Sequence, residues 1–389
     1  MSDLKTKKYF YGKHKIDNND LKAVIKSIKS GTISQGNQLI EFEKRVSNFC
    51  KAKYCLAVSS GTAALHIAVL SLNLGKSFFG LTSPITFAAT PNSIIASGGK
   101  LGLIDINKKT LNLSYEKFLN LINFKKKNKL KMPNLVIPVS FAGSSSEMKE
   151  IFKIAKKNKI KVIEDASQAM GATYKKEKIG SCKYSDITVF SLHPVKTITS
   201  AEGGLILTNN KKLYDRMKLL RVNGVKKNNN PSWTHDVITF GLNYKISELN
   251  CALGNSQLKK INKFINARKN IANYYKKTLD NKIFRFQLID QNSSSAWHLF
   301  IIIFKKKITK NKKMNFYKIL NKKNIFLDLK YKPINLMPYY KKKFKLKSYP
   351  EAENYFNQAF CLPIYPGLSK NDLKYIVTNI NKTARDLKL

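Results

Sequence analysis

The chain has 389 residues, 43% of them hydrophobic and 24% charged, with a formal net charge of +47. A chain of this length holds one large core and a smaller second one, and no apolar run reaches the ~20 residues of a membrane span. The charge alone is weak support for nucleic-acid binding, because 65 of the 71 basic residues are lysine and only six arginine, spread along the whole chain, whereas arginine is preferred for bidentate phosphate and base contacts.

Residues 20–50 alternate apolar and charged positions at helical spacing. A βα rhythm follows. Tyr54–Val58 reads as a strand, Ser59-Ser60-Gly61-Thr62 as a turn and Ala63–Leu74 as a helix. Further strands are predicted at Phe78–Leu81, Leu101–Ile104, Leu135–Val139, Val162–Ile163, Ile187–Phe190 and Leu205–Leu207. Helices are predicted at Thr86–Ala96, Tyr115–Lys125 and Ser146–Lys157. This alternation predicts a mostly parallel sheet covered on both faces, with the last two strands forming its antiparallel part. After Asn250 the pattern changes. Cys251–Asn273 reads as one long helix, and strand (Trp297–Phe304) and helix (Lys312–Lys323, Asn371–Thr383) are mixed in the remainder. Two domains are expected, 1–255 and 256–389. The five cysteines (50, 55, 182, 251, 361) show no CxxC spacing and read as buried free thiols. The first residues, Met1-Ser2-Asp3-Leu4-Lys5, lack the apolar core of a signal peptide, so a cytoplasmic protein is expected.

Four stretches could carry chemistry. Ser59–Ala64 lies between a strand and a helix and suits either an anion or a simple helix cap. Ser83-Pro84-Ile85-Thr86-Phe87 also follows a strand, and Phe87 fits either a core position or an aromatic face for a flat ring. Asp165 ends an apolar run at the edge where open α/β sheets bind ligands. Its neighbour Glu164 suggests a metal, but no further clustered ligands support one and no metal is expected. Lys196 sits in an apolar, hydroxyl-rich turn, Ser191-Leu192-His193-Pro194-Val195-Lys196-Thr197-Ile198-Thr199-Ser200, that leads into Glu202-Gly203-Gly204. A lysine so held can have a depressed pKa and act as a nucleophile. Paired with a strand-end aspartate, it has what pyridoxal phosphate (PLP) requires: an amine for the aldehyde and a carboxylate for the ring nitrogen. His193 reads as a core or supporting histidine.

In this order, the segments SSGTAALH, SPITFAAT, EDASQAMG, FSLHPVKTITSAEGG and GLNYKISELNCALG resemble the DegT/DnrJ/EryC1/StrS family of sugar-nucleotide aminotransferases, from about Tyr9 to the C-terminus. The resemblance implies the PLP-dependent transferase fold (fold type I, aspartate aminotransferase-like), an α/β architecture with a mostly parallel seven-stranded sheet and a smaller α/β C-terminal domain. It implies that Lys196 carries the cofactor and that Asp165 holds the pyridine nitrogen. Gln168 lies beside the ring and Phe87 stacks on it. Gly61, Thr62 and Ser191 cradle the phosphate. Asn243 reaches the phosphate of a neighbouring subunit, which implies a homodimer with shared sites.

Within the family the likeness is to aminotransferases of pseudaminic acid synthesis, through Tyr11–Asp17, Pro138–Gly143, Ala296–Leu299, Met337–Tyr340 and Leu362–Leu368. This implies amination at C4 of a UDP-linked 4-keto-6-deoxy-N-acetylhexosamine, with glutamate as donor. The alternatives are a GDP-perosamine or dTDP-aminosugar type of substrate, or a PLP-dependent sugar dehydratase, against which Lys196 argues. Three positions depart from those relatives: Lys330 and Asn335 stand where histidines are usual in His-Tyr-x-Pro-x-His, and Ser140 stands where a histidine is common. They bear on the substrate, not on the cofactor.

Overall fold

The computed structural model describes residues 7–227 and 233–389; the N-terminal residues behind the localisation expectation lie outside this range. Helices α1 (Asn18–Lys29) and α2 (Asn37–Cys50) lead into the alternating region. There β1 (Tyr54–Val58), α3 (Gly61–Ser71), β2 (Phe79–Thr82), α4 (Ala89–Ala96), β3 (Lys100–Leu103), α5 (Tyr115–Lys127), β4 (Leu135–Ile137), α6 (Met148–Lys157), β5 (Lys161–Asp165), β6 (Ile187–Ser191), β7 (Gly204–Thr208) and α7 (Lys211–Arg221) follow in turn.

The seven strands form one sheet in the order β1-β7-β6-β5-β4-β2-β3. β3, β2, β4, β5 and β6 run parallel. The reversal is confined to β7, which lies antiparallel to both β6 and β1. The antiparallel pairing expected of the last two strands is the β6–β7 pair; β6 also pairs parallel with β5, so β7 is the strand that is turned round. The Leu192–Gly203 connection contains no helix and turns straight back beside β6, as an antiparallel neighbour requires.

Period-two alternation assigns each strand's side chains to two cores. Leu56, Val58, Ile163, Ile187, Val189 and Ile206 pack on one face. Cys55, Ala57, Val162, Phe190, Leu205 and Leu207 pack on the other. With both faces covered, the strands read as continuous apolar runs. All five cysteines are buried and unpaired.

A second, antiparallel sheet is built from β8 (Phe284–Phe286), β9 (Phe300–Phe304) and β10 (Ala359–Leu362). On β9, Ile301 and Ile303 join a core of the large sheet, while Phe300, Ile302 and Phe304 face a third cluster with Tyr275, Phe316 and Ile376. Tyr9 belongs to this third cluster and pairs with Ile325, so the N-terminal segment packs on the C-terminal part of the chain.

The single helix expected over Cys251–Asn273 is two helices, α8 (Glu248–Leu258) and α9 (Ile261–Thr278). The break falls at Lys259-Lys260, where the Lys260 amide turns back to the Gln257 carbonyl. The Lys260 ammonium is held between Asp17 (2.9 Å) and the fully buried Asp20 (2.6 Å), so an ion pair with α1 sets the kink. The strand expected from Trp297 begins only at Phe300, because Trp297 adopts a left-handed backbone (φ +51°). Among the described residues, no helix is long and apolar enough to cross a membrane.

Candidate active site

The carboxyl ends of β1, β5 and β6 and the loop after β2 surround a cavity of about 400 Å³. It is lined by seven of the eight residues singled out from sequence: Gly61, Thr62, Phe87, Asp165, Gln168, Ser191 and Lys196. The eighth, Asn243, does not line it; Asn243 is exposed and bridges through its backbone to Val222.

α3 begins at this cavity. The Ser60 side chain caps it by accepting from the Ala63 amide (3.1 Å), which leaves the first-turn amides of Gly61 and Thr62 without intrahelical acceptors. A side chain at Gly61 would place its Cβ 2.8 Å from the Ser191 Cβ, so glycine is what lets the helix start close on the end of β6. Free amides, the helix dipole and a hydroxyl from Ser191 together make an anion cradle.

Asp165 is 4% exposed. Its Oδ2 accepts from the Thr90 hydroxyl (2.7 Å) and its Oδ1 from the Ser167 amide (3.1 Å). The Thr86 hydroxyl lies 2.7 Å from that of Thr90, so a chain of hydroxyls on α4 and its approach buttresses the carboxylate. Glu164 points to the opposite face, where Ser140 (2.8 Å), Ser145 and Thr188 donate to it. Burial pushes its carboxyl up to about 7, against the lowering effect of those hydroxyls. The adjacent acids therefore face different surroundings and cannot share a ligand at the cavity.

Lys196 sits in a closed loop. The Leu192 amide donates to the Gly203 carbonyl (2.9 Å), and Leu192 O accepts from the Ser200 amide (3.0 Å) and the Thr199 hydroxyl (2.9 Å). Asn250 of α8 ties Glu202 O from outside (3.1 Å). Burial pushes the Lys196 amine down to about 8, opposed by the Asp165 charge and assisted by Lys330. An amine in this range is partly neutral near physiological pH and can act as a base or a nucleophile. Gln168 accepts from the Ala142 amide through Oε1 (2.7 Å) and donates through Nε2 to the Tyr331 hydroxyl (3.1 Å). Phe87 is 59% exposed, so it is not a core residue but an open aromatic face at the cavity, 5.9 Å from the Tyr331 ring. His193 lines the cavity and is exposed, which excludes the core reading and leaves the supporting one.

The match of a family model over residues 14–381 decides the class. The chain belongs to the DegT/DnrJ/EryC1/StrS aminotransferase family. Its fold is that of the PLP-dependent transferases of fold type I. It is 34% identical over 367 residues, 94% of this chain and 95% of the relative, to the UDP-4-amino-4,6-dideoxy-N-acetyl-beta-L-altrosamine transaminase of Campylobacter jejuni subsp. jejuni serotype O:2. It is 31% identical over 384 residues, 96% and 95% of the two chains, to the spore coat polysaccharide biosynthesis protein SpsC of Bacillus subtilis. Among solved structures, Helicobacter pylori PseC, an aminotransferase involved in the biosynthesis of pseudoaminic acid, superposes with a TM-score of 0.90 at 29% identity, covering 98% of this chain and 100% of that one.

Of the three positions expected to depart from the pseudaminic acid aminotransferases, Lys330 reaches the cavity and the other two do not. It pairs with Asp328 (2.7 Å) and lies over the Tyr11 ring, 4.5 Å from its centroid. Ser140 is fully buried beneath Glu164, and Asn335 is buried on Glu353 (2.8 Å). Thr90 is the site residue that sequence reading passed over. Its signal was present as a second hydroxyl four residues after Thr86, within the span expected to be helical, although Thr86 itself lies ahead of α4.

Proposed function

We propose that this family member converts a UDP-linked 4-keto-6-deoxy-N-acetylhexosamine to its 4-amino sugar, taking the amino group from glutamate, on the route to pseudaminic acid. The observation that carries the reading is the facing of the Lys196 amine and the Asp165 carboxylate across one cavity, beside an open helix start. The substrate class is supported by the transaminase and PseC relatives, whose likeness runs through both sheets.

The residues present suit PLP. The free amides at Gly61 and Thr62, with Ser191, match a phosphate; Asp165, fixed by Thr90 and Ser167, matches a protonated ring nitrogen; and Phe87 offers an aromatic face. Bound there, the cofactor supplies an electron-accepting ring that holds the amino group between the two substrates. Lys196 binds it and, once free, takes a proton from the α-carbon of glutamate. In the second half-reaction Lys196 delivers a proton to C4 of the sugar. Asp165 keeps the ring nitrogen charged, and Gln168 fixes the ring edge from the Ala142 turn. The chain's net charge of +47 favours the approach of the anionic nucleotide diphosphate.

The working unit in this reading is a homodimer in the cytoplasm. Asn243 serves the partner's phosphate, which agrees with its exposure outside its own cavity. The nearby run Trp233 (85% exposed), Val237, Ile238 and Phe240 offers an apolar surface for the second copy. Residues 1–255 form the cofactor domain and 256–389 the smaller domain.

The test is incubation with glutamate, PLP and nucleotide ketosugars, followed by product mass. C4 amination of the UDP-linked N-acetyl ketosugar is expected. A higher specificity constant for GDP-4-keto-6-deoxymannose or dTDP-4-keto-6-deoxyglucose would overturn the pseudaminic assignment. A product lighter by one water would point to dehydration instead.

A further inference from the structure

His298 lines the active cavity, is 3% exposed, and has no hydrogen-bond partner for its Nδ1. Buried polar groups are satisfied in the great majority of cases, and one left unpaired at a site calls for an explanation. A purely structural histidine at this depth would be bonded on its own chain. This one has no such bond at Nδ1, and its residue forms part of the wall of the cavity.

Three supports hold it. The Arg268 guanidinium, 1% exposed, donates to the carbonyls of Trp297 (3.2 Å), His298 (3.5 Å) and Ile364 (2.6 Å), closing the backbone around it. Trp297, in the left-handed region at φ +51°, bends the chain immediately before it; a bulky residue is rarely held there without surrounding constraint. The Phe141–Gly143 turn packs against it so closely that a Cβ on Gly143 would lie 3.0 Å from the His298 amide nitrogen. That same turn accepts the Ala296 amide (2.9 Å) and donates the Ala142 amide to Gln168, so histidine and ring-edge residue share one rigid mount.

We propose that His298 is a substrate-contacting residue that completes its hydrogen bonding on a hydroxyl of the ketosugar. This rests on the aminotransferase reading above. Burial, with Lys196, Arg268 and Lys330 nearby, holds the ring well below the usual histidine range, so it is neutral. Those same cations repel an ammonium at this spot, and a carboxylate or phosphate has Lys330 to pair with. A hydroxyl both donates and accepts, and so fits either tautomer of a neutral imidazole.

The variants are His298→Phe, which keeps a ring without polar atoms, and His298→Asn, whose amide stands near the Nδ1 position. Holoenzyme is titrated calorimetrically with UDP and with the UDP-linked 4-amino sugar product. The glutamate half-reaction is followed separately from the cofactor spectrum. In the Phe variant, affinity for the amino sugar nucleotide and the KM for the ketosugar should both worsen about tenfold, the usual effect of losing one neutral hydrogen bond. UDP binding and the glutamate half-reaction should not change, and Asn should recover most of the loss. Unchanged sugar binding in the Phe variant overturns the proposal, as does a parallel loss of UDP binding and of the glutamate step. A wild-type protein that does not react with glutamate overturns the parent reading and this one together; a reactive wild type with an unaffected Phe variant overturns this one alone.

Discussion

Replacing Lys196 with methionine should stabilise the cofactor-free protein while destroying its activity. The amine's ordinary value of 10.5 falls to about 8 in the fold, chiefly through burial. Below pH 8 both folded and unfolded chains hold the proton, and the folded chain bears the full cost of a buried charge. Between about 8 and 10.5 the folded chain has released that proton and the unfolded chain has not, so this contribution to stability improves as pH rises. Above 10.5 the amine is neutral in both states and the cost is gone. At about 1.4 kcal/mol per pH unit the cost below pH 8 is about 3 kcal/mol. Lys196→Met removes it and keeps the apolar stem. With an unfolding entropy of roughly 2 cal/mol/K per residue over the whole chain, the gain corresponds to roughly 3–4 °C in Tm at pH 7. Differential scanning calorimetry of the two cofactor-free proteins at pH 7, 8.5 and 10 measures it. The difference should shrink with pH and vanish near 10.5. A methionine variant no more stable than wild type at pH 7, or a gain that does not change with pH, would refute the reasoning.

Thr90→Val removes the 2.7 Å hydrogen bond to Asp165 at almost constant volume. Bonds to charged groups contribute about 1.5–3 kcal/mol to stability, so Tm of the cofactor-free protein should fall by about 2–4 °C on the same entropy scale, and turnover should fall because Asp165 is less well held; calorimetry beside steady-state kinetics measures both. For the shared-site reading, Lys196→Ala and Asn243→Ala chains, each inactive alone, should regain part of the activity when mixed, because one heterodimer site carries both native residues. Verified subunit exchange without recovery would count against it.

Much of this arrangement was legible in the chain. The strands of the large sheet are covered on both faces, so each shows as a short apolar run with turn residues behind it, and the cavity residues fall in those turns. Lys196 and Asp165 could be paired from sequence because Asp165 ends such a run and Lys196 lies in the turn after the next one. What stayed hidden depends on contacts distant in sequence. The α8–α9 break is set by Asp20, 240 residues from Lys260, while the local pattern continues through it as a helix. The carboxylates at 164 and 165 look equivalent in sequence, and only strand pleating separates a cavity group from a buried one. His298 lies in an apolar stretch that suggests strand, and its place at the cavity depends on Arg268, the carbonyl of Ile364 and a turn near residue 142.

The loop that bears Lys196 is tied off at its base, with Leu192 joined to Gly203 and Ser191 paired with Gly204 across β6 and β7. Its shape is thus set by bonds that none of the atoms of the lysine side chain takes part in. Position 196 behaves as a socket: the residue plugged into it can change while the sheet around it stays as it is. A scaffold with this property can exchange one chemistry for another by single substitutions, without first passing through an unfolded intermediate in its evolutionary history.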